Sequence, residues 1–539
     1  MNREIEYPVK PQSIGLVGKP EDGARSIMLL PRMHGEYSLL VYPKSFLYRE
    51  YVQRFDFHNP PGNTKPFRFR VEIEKRFRDI TNWEWRLVKH PVVKGLNNFW
   101  RPEVSDLLFL SFPEITGTFK VPEGKPFRKH KIVVWSCNQP FITDNAQLRV
   151  NELTNQIFKW YREQVEQFSP DAIWGLGDTA YSDGTEASNF IDSFYDHPAW
   201  LEMPQGRETL LRLYREMYIN HWSFEDLQEV MRHYPHYCVW DDHEIRDGWG
   251  SEEQDFQNGN QRIYPIARKA ANEFILENGP RLRPPEHFPN SDAHQAYVEG
   301  SVASFIFDGR SSRRYHGQKG HVISEEQFQD FEKFCERIAT GEPEVRYLLM
   351  GCGVPFINLK DYVELLAEAP KQLTDLLAGI RDDLRDSWTS PGNKEALKRL
   401  LNILKQLEEK RPEIFIVNVS GDIHIASAFA FQPVGFSKAL YQVTSSALTN
   451  REHPPKLIAP LIYQDDIVYS DSLGLINRLW KEVTDPNILL IEPKNGSLNF
   501  QLKVFDLDHD PETVRTISSP KDLEINIGIH DYGLSYMKL

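Results

Sequence analysis

Lys131-Ile132-Val133-Val134-Trp135-Ser136-Cys137-Asn138 is the stretch on which the fold turns: four apolar residues run directly into a serine, a cysteine and an asparagine. The pattern recurs three times. Ala172-Ile173-Trp174-Gly175-Leu176 leads into Gly177-Asp178-Thr179-Ala180-Tyr181, Tyr237-Cys238-Val239-Trp240 into Asp241-Asp242-His243-Glu244, and the run from Ile414 to Val419 into Ser420-Gly421-Asp422-Ile423-His424. Short runs rich in β-branched and aromatic residues, with almost no polar alternation, fit strands buried on both faces. Helical patterns fill the intervals, around Leu148 to Phe168, Glu208 to His221 and Asn393 to Leu407. The order strand, polar residues, helix predicts an α/β fold with its ligand site at the carboxyl ends of the strands.

Working outward, 539 residues are enough for a large core and more than one domain. A hydrophobic share of 40% and a charged share of 26% describe a globular chain rather than a disordered one. The formal net charge of -14, with no basic patch, argues against nonspecific nucleic-acid binding, and an anionic substrate would need local positive charge such as metal ions supply. Four cysteines in a chain of this size do not make a disulfide framework. Cys238 and Cys352 lie in or just after apolar strands and read as buried, inert thiols. Cys137 differs because its strand ends there. No apolar stretch is long enough to span a bilayer, and the amino terminus has no basic segment followed by an apolar one, so a cytoplasmic location is expected.

Three regions are expected. Residues 1–125 carry short alternating segments such as Phe67 to Ile73 and form a β-rich domain, which Val121 to Lys131 links to the core. Residues 130–450 hold the α/β rhythm, and residues 451–539 form a C-terminal extension whose strands, including Leu498 to Phe505, pack on that core. Ser324-Glu325-Glu326-Gln327 matches a capping box at the start of a Phe-rich helix to Ile338.

Each polar station has an ordinary structural reading. Gly-Asp pairs occur in turns and Asp caps helices. Charge stacked behind Val239 and Trp240 is costly unless the carboxylates are paired or metal-bound, although Glu244 can also favour a following helix through its dipole. Asp422 and His424, two apart on an extended segment, share one face, whether for a metal or for each other. Taken together, carboxylate, thiolate, phenolate and imidazole donors from separate strand ends point to metal ions. Asp178 and Tyr181 are spaced to reach one ion from the same turn. Phenolate and thiolate ligands favour a strongly Lewis-acidic ion such as Fe3+, whereas carboxylate positions suit Ca2+, Mg2+ or Mn2+. A mixed two-metal centre follows as an expectation.

With Ser-Cys, Gly-Asp-x-x-Tyr, Asp-Asp-His-Glu and Ser-Gly-Asp-x-His in this order, residues 130 to 450 resemble the PhoD-like (alkaline phosphatase D) branch of the metallophosphoesterase superfamily. Phe307-Asp308-Gly309-Arg310-Ser311 and Val443 to Thr449 are similar to further family segments. The resemblance implies a four-layer αββα sandwich with an N-terminal β-rich domain. It implies Cys137, Asp178 and Tyr181 as ligands of an iron-type site, with Asp178 bridging to a second ion. Asp242 and Asp247 fall to the metals, as do Asp422 and His424, and His243 to transition-state stabilisation or leaving-group protonation. Arg310 is either a clamp on a nonbridging phosphoryl oxygen or a structural ion pair. The implied cofactors are Fe3+ with Ca2+, or alternatively Mn2+, Mg2+ or Zn2+. The implied activity is attack of a two-metal-activated hydroxide on a small-molecule phosphate monoester. A phosphodiesterase or phospholipase-like hydrolase on the same centre, or a noncatalytic metal-binding module, are the alternatives. The chain departs from the wider superfamily where Ser136-Cys137-Asn138 replaces an opening Asp-x-His; Asp56-Phe57-His58 has that spelling but no apolar strand before it, and reads as chance. The twin-arginine signal of secreted relatives is not seen.

Overall fold

In the strand Ile132–Trp135, Ile132 and Val134 enter one apolar cluster while Val133 and Trp135 enter another, so successive side chains are buried on opposite faces. The same split operates in the neighbouring strands. Ala172, Trp174, Leu176, Tyr237 and Val239 face the first cluster, and Ile173, Cys238 and Trp240 the second. This double burial is the physical reason for the unbroken apolar runs. The computed structural model describes residues 5–21, 24–44, 51–74, 77, 80–90, 113–120, 130–282, 292–316, 319–356, 386–421, 423–449, 467–470, 473–494, 497–505 and 523–528.

A six-stranded sheet runs in the order His236–Val239, Ala172–Leu176, Ile132–Trp135, Asn487–Lys494, Ser497–Val504, Leu523–Gly528. The first three strands are parallel, and Asn487–Lys494 joins Ile132–Trp135 antiparallel. An eight-stranded sheet has Val302–Ile306, Tyr347–Cys352, Phe415–Ser420 and Leu440–Thr444 as its parallel centre. The cluster that takes Ile132 and Val134 also takes Leu349, Val417, Val419 and Val443, so the two sheets pack face to face. Outside the first sheet lie the helices Thr154–Phe168, Pro204–His221, Glu225–His233 and Ile263–Phe274. Outside the second lie Glu325–Gly341 and Lys394–Lys410. The layers are helix, sheet, sheet, helix, as expected for the metallophosphoesterase sandwich.

The β-rich amino-terminal region is a three-stranded and a four-stranded sheet around Leu39, Trp83 and Trp85. It is joined to the core rather than tethered beside it. Ile14, Leu16, Met28 and Leu30 belong to the apolar cluster of the first helix layer, and the Gly15 amide donates to Gln228 Oε1 at 3.0 Å. Asp56 and His58 sit on a strand of this sandwich, bonded to Ser38, Arg54 and Glu36, away from the core strand ends. The described carboxyl-terminal strands do more than lie on the core. They are hydrogen-bonded members of both core sheets, with Asn487–Lys494 next to the first core strand and Gly474–Val483 paired with Ala426–Gln432. Sequence order does not tell which strand will be a neighbour.

The Ser324 cap is half of a capping box. Ser324 Oγ accepts from the Gln327 amide at 3.1 Å, but the Gln327 side chain turns to the Asp308 loop, accepting from the Asp308 amide at 2.8 Å and donating to its carbonyl at 3.1 Å. The helix start therefore anchors the loop that carries Arg310. Among the described residues no helix is long and apolar enough to cross a membrane.

Candidate metal centre

The strand ends Trp135, Leu176, Val239 and Ser420 open at one rim of the sandwich, and backbone hydrogen bonds tie their loops together. The Asn138 amide donates to Asp178 O at 2.8 Å, Ser445 N to Ser420 O at 2.9 Å, and Leu448 N to Ser136 O at 2.9 Å. Gly421 permits the approach of the two sheets here, since a Cβ on it would lie 2.6 Å from the Ser136 side chain and 2.8 Å from Leu176 O. Three candidate site residues adopt left-handed backbone: Cys137 at φ 53°, Asp178 at φ 53° and His424 at φ 52°. Such conformations are strained for residues with a side chain and concentrate at functional sites.

Asp178 is the centre of the cluster. Its Oδ2 lies 3.6 Å from Cys137 Sγ, and ligand atoms of Asp178, Asp242 and His243 all lie within 4.8 Å of one another. Tyr181 packs with Cys137, places its ring 4.2 Å from that of His243 (centroid to centroid), and brings its hydroxyl 3.4 Å from His424 Nε2. Asp247 is the outlying candidate, largely exposed, with Oδ1 4.0 Å from His243 Nε2. Asp422 lies outside the described residues.

The donor set fits a cation. Asp178 Oδ1 is buried with no hydrogen-bond partner among the described residues, which is costly for a carboxylate oxygen unless a positive ion faces it. Burial pushes the Asp178 carboxyl well above its ordinary range, with Asp242, Asp241 and Glu244 adding to the effect and His243 opposing it. Burial also works to raise Asp242, but Arg310 and His243 overcome it and hold that carboxyl at about 2. For His243, burial disfavours the charged ring, yet Asp183, Asp178 and Asp242 outweigh it and raise its pKa well above the usual imidazole value.

Arg310 is buried, its guanidinium paired with Asp241 and Asp386 and 3.3 Å from Asp242, while Nη1 donates to Trp249 O at 3.1 Å. Arg313 adds a second cation, 2.9 Å from Asp386. Three carboxylates thus meet two guanidinium groups. Trp249 is buried against Phe256 and Tyr264, as core rather than as an exposed stacking surface.

Two carboxylates matter here that the motifs alone did not assign. Asp183 accepts from His243 Nδ1 at 2.7 Å and is almost buried; its sequence signal, an Asp-Gly pair two residues past Tyr181, is indistinguishable from a turn. Glu244 does not head a helix, since turns lead on to a short 3-10 segment at Glu253–Phe256. Instead it is fully buried and accepts four hydrogen bonds, from the Asp178 amide (3.0 Å), the Thr179 amide (2.6 Å), Thr179 Oγ1 (2.8 Å) and the Asp241 amide (2.8 Å). It clamps two site loops together. None of the four cysteines is in a disulfide, and burial pushes Cys238 and Cys352 up to about 12, consistent with inert thiols.

The sequence pattern of the PhoD-like phosphatases matches residues 133–455. Among solved structures, PhoD superposes with a TM-score of 0.58 at 11% identity, covering 97% of this chain and 92% of that one. A purple acid phosphatase from yellow lupin (Lupinus luteus) seeds superposes with a TM-score of 0.52 at 9% identity, covering 98% of this chain and 76% of that one. At these identities the two structures speak to the fold. No curated protein matches the chain by sequence.

Proposed function

Because this chain belongs to the PhoD-like phosphatase family, we propose that it hydrolyses the phosphate monoester of a small molecule, with Fe3+ and Ca2+ bound at the Asp178 cluster. The observation that carries this reading is the convergence of Cys137, Asp242 and His243, with Tyr181 packed beside Cys137 and His243, on one buried carboxylate whose Oδ1 has no hydrogen-bond partner among the described residues. Cys137, Asp178 and Tyr181 would hold the iron. Asp178, Asp242 and Asp247 would hold the second ion, with His424 and Asp422 completing the set. When bound, such ions supply Lewis-acid polarisation of the phosphoryl group and activation of water.

The chain's own groups do the rest. Cys137 and Tyr181 are buried, whereas His243 is partly exposed and Asp247 largely so, so an ester approaches from the side of His243 and Asp247. Asp183 engages His243 Nδ1, which leaves Nε2 to hold a proton for the departing ester oxygen. The Asp183 carboxylate stabilises the imidazolium while that proton is held, and the Tyr181 ring against the imidazole restricts its tilt. Arg310, spent on three carboxylates, acts by fixing Asp241 and Asp242 rather than by touching substrate.

The test is hydrolysis of p-nitrophenyl phosphate against bis(p-nitrophenyl) phosphate, with iron and calcium supplied, beside Asp178→Asn. Faster turnover of the monoester, lost in the variant, is expected. Iron-loaded protein that turns over neither ester would overturn a general phosphatase, and faster diester turnover would reassign the substrate class.

A further inference from the structure

Ser446 sits where the two sheets meet the cluster, fully buried just past the strand Leu440–Thr444. The His424 amide donates to its Oγ at 3.1 Å, and Oγ lies 3.2 Å from Cys137 Sγ. A hydroxyl has one proton and two lone pairs. With the amide occupying a lone pair, the proton is left for the sulfur. On its other side the sulfur faces Asp178 Oδ2 at 3.6 Å, so the thiol of Cys137 lies between a hydroxyl donor and the central carboxylate. Ser446 is held in place independently of its side chain. Asn487 Nδ2 donates to Ser446 O at 2.8 Å, and Ser445 Oγ donates to Asn487 Oδ1 at 3.1 Å.

We propose that Ser446 is a positioning residue that donates a hydrogen bond to the Cys137 thiolate and so sets the donor strength of that sulfur towards a bound metal, while locking His424 to the same site. The proposal rests on the reading of Cys137 as a ligand. Hydrogen bonds to ligand sulfur lower the energy of its lone pairs and tune the metal it binds. A hydroxyl is required for a chemical reason: alanine supplies no proton to the sulfur and removes the acceptor of the His424 amide.

The experiment uses the full chain, stripped with a chelator and reloaded with Co2+, whose thiolate charge-transfer absorption in the near ultraviolet reports the sulfur directly. Cys137→Ser is the control. In Ser446→Ala the band moves to longer wavelength and Co2+ binds about tenfold more weakly, the lower end of the effect of outer-shell partners, whereas Ser446→Thr keeps the native band. A band that requires Cys137 but is unmoved in Ser446→Ala overturns the proposal and leaves the metal reading intact. No band in the native protein, or one that survives Cys137→Ser, overturns the ligand reading and the proposal with it. Independently of any variant, the resonance Raman metal–sulfur stretch of the native Co2+ protein is expected to shift between H2O and D2O, because the hydroxyl proton exchanges. No isotope shift overturns the proposal, even if Ser446→Ala does not fold.

Discussion

Replacing Arg310 by methionine separates the two roles its sequence context allows. The side chain keeps much of its length and apolar stem, but the guanidinium that faces Asp241, Asp242 and Asp386 is lost. Those carboxylates have side-chain exposures of 2%, 6% and 3%, so water does not replace the cation. Arg313 stays paired with Asp386 at 2.9 Å. Removing one partner of a buried pair costs about 3–5 kcal/mol, because the remaining charge stays desolvated. With a urea m-value of about 3 kcal/mol/M, the unfolding midpoint falls by about 1–2 M. Arg310→Lys recovers only part of this, since one ammonium does not reproduce a planar fork shared among several carboxylates. The assay is urea unfolding followed by tryptophan fluorescence, with Trp240 and Trp249 buried nearby, alongside kcat and KM for p-nitrophenyl phosphate. A variant with the native midpoint, unchanged kcat and a severalfold higher KM would refute the structural role and make Arg310 a phosphate contact.

Four further outcomes are expected. Asp178→Asn lowers kcat by about a thousandfold or more, since several kcal/mol of metal-derived stabilisation is withdrawn, and its metal content measured by elemental analysis falls with it. Because the folded-state pKa of Asp178 is raised, the metal-free protein is favoured below the unfolded value of about 3.8 and loses that contribution as pH rises towards the folded pKa. Chelated protein should therefore melt at a lower temperature as pH rises through that window, and adding metal should remove the slope and release protons detectable by calorimetry in buffers of different ionisation enthalpy. Asp183→Asn is expected to lower kcat about 10–100-fold with little change in KM, by leaving the His243 ring without the carboxylate that orients it; a native kcat would remove Asp183 from the machinery. Ser324→Ala removes the acceptor for the Gln327 amide at a cost of about 1 kcal/mol, read as a fall in Tm of about 2 °C.

Much of the architecture was legible because double burial leaves a one-dimensional signal. The runs before Ser136, Gly177, Asp241 and Ser420 ended within a residue of the observed strands, and the helices in the intervals began within a few residues of their apolar periodicity. The helix predicted from Leu148 is the exception: Gln147–Val150 pairs with Phe141–Asp144 as a hairpin, and the helix begins at Thr154. Its two alternating apolar residues, Leu148 and Val150, served a strand period as well as a helical one.

By itself the sequence determined which residues end buried strands and which chemical groups those ends carry, since burial and local propensity act along the chain. Only the tertiary structure decided who meets whom. Asp183 reached His243, Glu244 became a four-donor clamp, and Arg310 was enclosed by three carboxylates from two segments distant in sequence from its own. Ser446 likewise came to lie between Cys137 and His424. Such pairings depend on where sheet neighbours and loop crossings bring polar groups within about 3 Å, the range of a hydrogen bond, and no local pattern encodes that distance.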